Sequence, residues 1–163
     1  MATAEKDLSQ YDSETIPSGA DFRIGIVVSE WNDSITNSLC EGAKSTLIRH
    51  EVQQENIIIH RTPGSFELPI AAQWMLEDEK IDGVIAIGSV IQGETKHFDF
   101  VCQATAQGIK DVGIKYNKPA IFCVLTDNNM QQAIDRSGGK HGNKGIEAAV
   151  ACLKMIDLKN KLK

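Results

Sequence analysis

Four short apolar runs, separated by segments with helical periodicity, dominate the sequence and leave few folds open to it. The runs are residues 22–28, 57–59, 84–87 and 120–125. Apolar residues recur at helical spacing in five further stretches, residues 35–52, 68–75, 98–116, 130–136 and 146–156. Apolar strands that alternate with helices are typical of a parallel sheet covered on both faces. We therefore predict a four-stranded parallel sheet in a three-layer α/β/α sandwich.

The length of 163 residues fits one domain, which we place at residues 22–163. Residues 1–21 are polar, and only Leu8, Tyr11 and Ile16 among them are suited to packing, so we predict an arm or a partly flexible tail there. This segment lacks the basic start and the apolar stretch of a secretory signal. The expected location is therefore the cytoplasm.

Composition argues against several classes of function. There are 17 Lys and Arg against 22 Asp and Glu, a net charge of −5, which does not suit a protein that coats nucleic acid or an anionic membrane. No apolar run reaches the roughly 18 residues of a transmembrane helix. The four cysteines form no CxxC pair, so we predict no metal site and reduced thiols that pack as small apolar residues.

Sheets of this kind bind ligands beyond the carboxyl ends of their strands, so the residues that follow each run are the candidates. Trp31 and Asn32 follow the first run. The indole could stack on a planar heterocycle or simply pack over the sheet, and Asn32 is also an ordinary helix N-cap. After the second run, Phe66 suits either a ligand or the core, and Glu67 suits either a polyol or the dipole of the next helix.

The segment after the third run, residues 88–97, nearly matches the phosphate-binding pattern GxxxxGK[ST], but Glu94 stands in place of the lysine. Without that ammonium group we do not expect nucleotide hydrolysis. Gly93, Glu94 and Thr95 still form a turn before a helix, where free N–H groups could bind one phosphate, although Thr95 is also a plain N-cap. His97 follows in the first helical turn, where the dipole favours a neutral imidazole. It is either a general base or a surface residue.

Two cations follow the fourth run. Arg136 could hold a phosphate through two N–H groups. Lys144 begins the last helix, where a cation opposes the dipole, and this favours a role in ligand binding. The alternative is a flexible glycine-rich loop with solvated lysines. We interpret the remaining histidines as surface residues; these are His50, His60 and His141.

Together these motifs resemble the 6,7-dimethyl-8-ribityllumazine synthase family, which carries out the penultimate step of riboflavin biosynthesis. The resemblance spans about residues 22–158. It rests on Trp31-Asn32 followed by Ile35-Thr36, on Gly-Ser-Phe-Glu-Leu-Pro at 64–69, on residues 88–99 and on Gly-Asn-Lys-Gly at 142–145. It implies a flavodoxin-like fold. It also implies a transferase that joins 5-amino-6-ribitylaminouracil to 3,4-dihydroxy-2-butanone 4-phosphate without a cofactor, releasing water and phosphate.

The resemblance also implies a role for each matching position. Trp31 would stack on the pyrimidine, where many members carry phenylalanine, and His97 would move protons. The pyrimidine and its ribityl chain would further contact Asn32, Ser65, Phe66, Glu67, Val90, Ile91, Phe122 and Lys144. The phosphate would contact Gly93, Glu94, Thr95 and Arg136. Of these residues, Phe122, Arg136 and Lys144 would come from a neighbouring subunit.

The family assembles as homopentamers, and some members form icosahedral shells of 60 subunits. The short loop from Ser137 to Lys144 resembles the shell-forming type. The resemblance further implies that the N-terminal arm adds a strand to a neighbour's sheet, and it leaves open an association with riboflavin synthase. Two positions depart from the family pattern: Asp135, where many members have glutamate, and Glu94, where many have a small residue.

The sequence is compatible with two other functions. One is a non-catalytic flavin or lumazine carrier of the same fold, and the other is a flavodoxin-like electron carrier. His97 together with Arg136 favours the enzyme, because a carrier of a dephosphorylated product has no use for a phosphate-binding arginine.

Overall fold

The computed structural model of the protein describes residues 7–162 and contains the predicted four-stranded parallel sheet. The order of the strands is β2-β1-β3-β4, and every neighbouring pair is parallel. The strands are β1 (Ile24–Ser29), β2 (Ile57–Thr62), β3 (Gly83–Ile91) and β4 (Ala120–Asp127). All six residues of β1 are buried, as expected of a central strand covered on both faces.

Five helices cover the sheet on its two faces, which confirms the three-layer prediction. They are α1 (Asp33–Arg49), α2 (Leu68–Glu77), α3 (His97–Tyr116), α4 (Met130–Arg136) and α5 (Lys144–Lys161). One core lies between the sheet and helices α1 and α5, and its buried members include Ile26, Leu39 and Leu153. The second core lies between the opposite face and helices α2 and α3, and its buried members include Val27, Leu68 and Ile109. Successive strand residues therefore point into different cores.

The third strand is longer than the sequence predicted. The apolar run suggested an end at Gly88, but β3 continues to Ile91 because β4 pairs with it as far as Ile91 and Asp127. A glycine is needed at position 88, since a Cβ there would lie 2.6 Å from Oγ of Ser65. Val90 and Ile91 are therefore strand residues rather than loop residues.

Two further boundaries differ from the prediction. Helix α1 ends at Arg49 rather than near residue 52, because the chain leaves the helix through Glu51 in the left-handed region (φ 73°). The segment before α5 is a small antiparallel hairpin of β5 (Ser137–Gly139) and β6 (Gly142–Asn143), not an open loop. Asn143 then caps α5, because its side-chain oxygen accepts from the N–H of Gly145 at 2.8 Å.

Within the N-terminal segment, residues 7–21 pack on their own chain. The N–H of Leu8 donates to the carbonyl of His141 at 2.7 Å, and Ile16 packs against the core of helices α1 and α5. The ring of Tyr11 lies 5.6 Å from that of His50, and its hydroxyl is 3.2 Å from Nε2. The prediction of a surface His50 is therefore wrong: the ring is buried beneath this segment, and burial lowers its pKa.

The cysteines are free thiols, as predicted. Cys40, Cys123 and Cys152 are buried among apolar side chains, and Cys102 is half-buried on α3. Burial raises the pKa of both Cys123 and Cys152 to about 12, so these thiols stay protonated near neutral pH. Within residues 7–162, no helix combines the length and apolar character needed to cross a membrane.

Candidate active site

The sheet places a crevice between the carboxyl ends of β1 and β3. The chain runs from β1 to β2 on one side and then returns to place β3 on the other side of β1. The connections that leave β1 and β3 therefore diverge. In sheets of this type, the gap between such connections is where ligands bind.

A cavity of about 630 Å³ opens at this point. Its lining includes eight of the residues that the sequence singled out: Trp31, Asn32, Ser65, Phe66, Glu67, Val90, Ile91 and His97. Two lining residues, Gly64 and Val101, were not assigned a role. Val101 lies one turn after His97 on α3, so helical spacing from the histidine could have found it. The cavity volume falls in the range of ordinary small-molecule sites.

Trp31 and Asn32 connect β1 to α1 at the mouth of the cavity. The indole of Trp31 is 72% exposed, so it is not a packing residue of the single chain. Asn32 has left-handed backbone angles (φ 57°, ψ 49°) and does not cap α1 with its side chain, which corrects that alternative. Instead, its Nδ2 donates to the carbonyl of Ser89 at 2.9 Å. This bond joins the ends of β1 and β3 and fixes the loop that carries Trp31.

The segment after β2 forms the opposite side of the cavity. A 3₁₀ turn covers Ser65–Glu67 and leads into α2. A Cβ at Gly64 would lie 3.1 Å from Oε2 of Glu67 and 3.6 Å from Cδ1 of Trp31, so the carboxylate and the indole flank this glycine. The hydroxyl of Thr105 donates to the carbonyl of Ser65 at 3.0 Å in the protein interior. This bond fixes the turn to α3.

The turn of residues 93–95 is exposed, and nothing lies within 4 Å of a Cβ placed on Gly93. Helix α3 begins at His97, and Lys96 at its N-cap makes no capping bond with its side chain. The alternative interpretation of Thr95 as the N-cap of α3 does not hold, because Lys96 occupies that position and the hydroxyl of Thr95 accepts a long bond, 3.4 Å, from the N–H of His97. The helix start therefore keeps N–H groups and dipole available to an anion. The imidazole of His97 is exposed beside this turn and lines the cavity.

Phe122 and Lys144 lie away from this cavity, on the outer side of β4. They line a separate cavity of about 580 Å³ formed by β4, α5 and residues 7–15. The ammonium of Lys144 lies 3.1 Å from both carboxylate oxygens of Glu147. This ion pair explains how a cation is tolerated at the start of α5.

Arg136 ends α4 and lines neither cavity. Its Nη1 donates to the carbonyl of Gln132 at 3.0 Å and lies 3.7 Å from Oδ1 of Asp127. Asp135 does not contact it and instead accepts from the amide of Gln131 at 2.9 Å. Asp127 is not among the predicted site residues, and the structure buries it at the end of β4. Burial raises its pKa, and the smaller effect of Arg136 lowers it.

The candidate residues thus form two groups on one chain. The first group, at β1 and β3, supplies aromatic surface, a carboxylate and an imidazole, and no lysine or arginine lines its cavity. The second group, along β4, supplies Phe122 and the cations Arg136 and Lys144. Within residues 7–162, no cluster of three or more His, Cys, Asp or Glu side chains could hold a metal ion.

Fold and site together define an α/β/α protein with a small-molecule cavity at the switch point of a parallel sheet. The family described as 6,7-dimethyl-8-ribityllumazine synthase matches residues 21–160. Proteins of that name are similar over nearly the whole chain. The relative from Flavobacterium johnsoniae is 61% identical over 95% of this chain and 82% of its own length. The one from Christiangramia forsetii is 56% identical over 100% and 98%. The chain belongs to the 6,7-dimethyl-8-ribityllumazine synthase family.

Proposed function

We propose that the protein condenses 5-amino-6-ribitylaminouracil with 3,4-dihydroxy-2-butanone 4-phosphate to give 6,7-dimethyl-8-ribityllumazine, water and phosphate. The observation that carries this proposal is the cavity between β1 and β3, which gathers Trp31, Glu67 and His97. Membership of the family and relatives named as this synthase support it. A non-catalytic carrier is not favoured, because the relatives are named as enzymes.

The cavity suits a planar, hydroxylated substrate. The exposed indole of Trp31 and the exposed ring of Phe66 offer faces for a pyrimidine. The carboxylate of Glu67 accepts hydroxyl hydrogen bonds, as a ribityl chain would require. Backbone groups at the end of β3, at Val90 and Ile91, lie at the same cavity and suit the edge of the uracil.

The chemistry needs few protein groups. The pyrimidine substrate carries its own amine, so a carbon–nitrogen double bond can form to the ketone without an enzyme lysine. Formation of this imine releases one water, and elimination of phosphate removes a proton from carbon. The ribitylamino nitrogen then attacks the carbonyl that the elimination leaves, and loss of a second water closes the ring. His97 is the group in the cavity best suited to take up and return these protons. Holding both substrates in one site lowers the barrier further, because the bimolecular condensation becomes effectively unimolecular.

For the phosphate we propose the N–H groups of residues 93–95, at the start of α3, together with Arg136. The helix start offers a partial positive charge, and an arginine offers two parallel N–H groups to a phosphate. Since Arg136 does not line the cavity of its own chain, we propose that it reaches the phosphate from a neighbouring subunit, together with Phe122 and Lys144.

This arrangement requires an oligomer. We propose a homopentamer in which the β4 side of one subunit closes the β1–β3 cavity of the next. The compact hairpin of β5 and β6 is compatible with a further assembly into a shell of 60 subunits. Sedimentation separates the two states, since five chains of 17.8 kDa give roughly 90 kDa and sixty give roughly 1 MDa.

The activity test mixes the purified protein with both substrates and follows the absorbance of the lumazine product. A rate well above the spontaneous condensation is expected, and it should fall when Arg136 is replaced by glutamine. A rate equal to the spontaneous one in a folded, assembled protein would refute the proposed function.

A further inference from the structure

We propose that Asp127 weakens the hold of Arg136 on phosphate, so that the inorganic phosphate formed in the reaction leaves the site. This inference rests on the proposed role of Arg136 as a phosphate ligand. It concerns an acidic residue to which the family resemblance gave no role.

Asp127 lies next to the two elements that carry the proposed phosphate ligands of its chain. It is the last residue of β4, in register with Ile91 of β3, which lines the cavity. Its carbonyl accepts from the N–H of Gln92 at 2.9 Å, one residue before the turn at Gly93. Its carboxylate faces Arg136 on α4. The residue thus contacts the proposed phosphate-binding arginine of its own chain, and it does so in whichever subunit's site that arginine serves.

Folding alone does not account for a carboxylate at this position. The side chain of Asp127 is only 7% exposed, and its buried Oδ2 has no hydrogen-bond partner among residues 7–162. A buried, incompletely bonded carboxylate is destabilising. Its ionic contact to Arg136 is 3.7 Å long, and the arginine is 34% exposed. The strand pairing uses the backbone of Asp127 and would be the same with a neutral side chain.

The effect on phosphate follows from the charges. Arg136 contacts the protein through Nη1, so Nε and Nη2 form the edge that can face an anion. The carboxylate behind it offsets part of the positive charge that attracts a phosphate dianion. Burial raises the pKa of Asp127, a sign that its negative charge is poorly solvated and acts strongly on near neighbours. Removal of this charge should therefore strengthen phosphate binding.

The experiment measures inhibition by inorganic phosphate in the assembled enzyme. Asp127→Asn keeps the shape of the side chain and removes the charge. We expect its inhibition constant for phosphate to fall about fivefold, equivalent to about 1 kcal/mol. The KM for the pyrimidine substrate should stay unchanged. Asp127→Ser is a second neutral variant with the same expectation, and it serves if the asparagine variant does not fold.

Two further variants make the outcome decisive. Asp111→Asn removes an exposed carboxylate on α3 that is paired with Lys110, and it should leave the inhibition constant for phosphate unchanged. Arg136→Gln should weaken phosphate inhibition. Suppose that Arg136→Gln weakens phosphate inhibition, but that both neutral Asp127 variants bind phosphate as tightly as the wild type or less tightly. The role of Asp127 is then refuted, and that of Arg136 stands. If Arg136→Gln has no effect on phosphate, the proposed phosphate site itself fails.

Discussion

Replacement of Asn32 tests how the loop that carries Trp31 is held. The residue makes two separable contributions: a backbone in the left-handed region (φ 57°) and a hydrogen bond of 2.9 Å from Nδ2 to the carbonyl of Ser89. Alanine loses both. The left-handed conformation costs alanine about 1–2 kcal/mol, whereas asparagine tolerates it better. Loss of the hydrogen bond to Ser89 costs about 1 kcal/mol more. Asn32→Ala should thus lower the free energy of unfolding by about 2–3 kcal/mol.

Asn32→Gly separates the two contributions, because glycine adopts the left-handed conformation freely but cannot donate to Ser89. Asn117 provides a matched control. It also has left-handed angles (φ 50°), it ends α3, and it is exposed. Glycine is the preferred residue at such a helix end. Asn32→Gly should therefore be less stable than Asn117→Gly by about 1 kcal/mol, the value of the Ser89 bond.

The assay is chemical unfolding at one fixed protomer concentration, since assembly contributes to the measured stability. In thermal unfolding, 1 kcal/mol corresponds to a shift of about 2–4 °C for a domain of this size. Equal losses for the two glycine variants would refute the contribution of the Ser89 bond. Equal losses for Asn32→Ala and Asn32→Gly would refute the contribution of the backbone conformation.

Three further predictions concern proton transfer, pH and thiol reactivity. Replacement of His97 by alanine should slow turnover severalfold or more, as measured by product absorbance, and leave substrate binding intact, as measured by titration. An unchanged rate would mean that the substrates transfer their own protons. Because the pKa of His50 in the fold lies below its ordinary 6.5, the unfolded chain binds the proton first as pH falls. Stability should therefore decline below about pH 6.5, and less so in His50→Gln, as measured by urea unfolding. Iodoacetamide should modify half-buried Cys102 before Cys123 and Cys152, with mass spectrometry as the readout, and the reverse order contradicts the burial argument.

The sequence predicted the architecture because the strand cores are made of residues with strong and local preferences. β-Branched runs such as residues 24–28 and 57–59 are strands in both the prediction and the structure. It could not predict the end of β3. Gly88 and Ser89 interrupt the apolar run, and the strand continues only because β4 pairs with it over that length. Strand ends of this kind depend on tertiary contacts that no local pattern records.

The candidate site, like the fold, was predicted from the sequence only in part. The chain positions of Trp31, Glu67 and His97 follow from the rule that parallel strands present their carboxyl ends at one edge, and the structure places all three at one cavity. The burial of Asp127 and His50 was not predicted, because charged and polar residues are usually exposed. His50 is buried by residues 7–21, which are distant in sequence. Asp127 lies at the end of an edge strand and faces α4, which follows it directly in the chain.

Both cations of the second group are paired with an acidic residue of their own chain. This pairing affects how a site shared between subunits would bind phosphate. Lys144 is paired with Glu147 and Arg136 with Asp127, so the charge of each of these two cations is partly neutralised within its own chain. A chain with a net charge of −5 does not attract a phosphate dianion from a distance, and an unpaired cation at the surface would bind anions without selecting among them. With each cation held by an acid, phosphate must compete with that acid. In the proposed shared site it would do so best where the N–H groups of a second subunit's α3 also contact it. On this reasoning the acids restrict anion binding to the completed site, because neither half of the proposed site holds phosphate strongly alone.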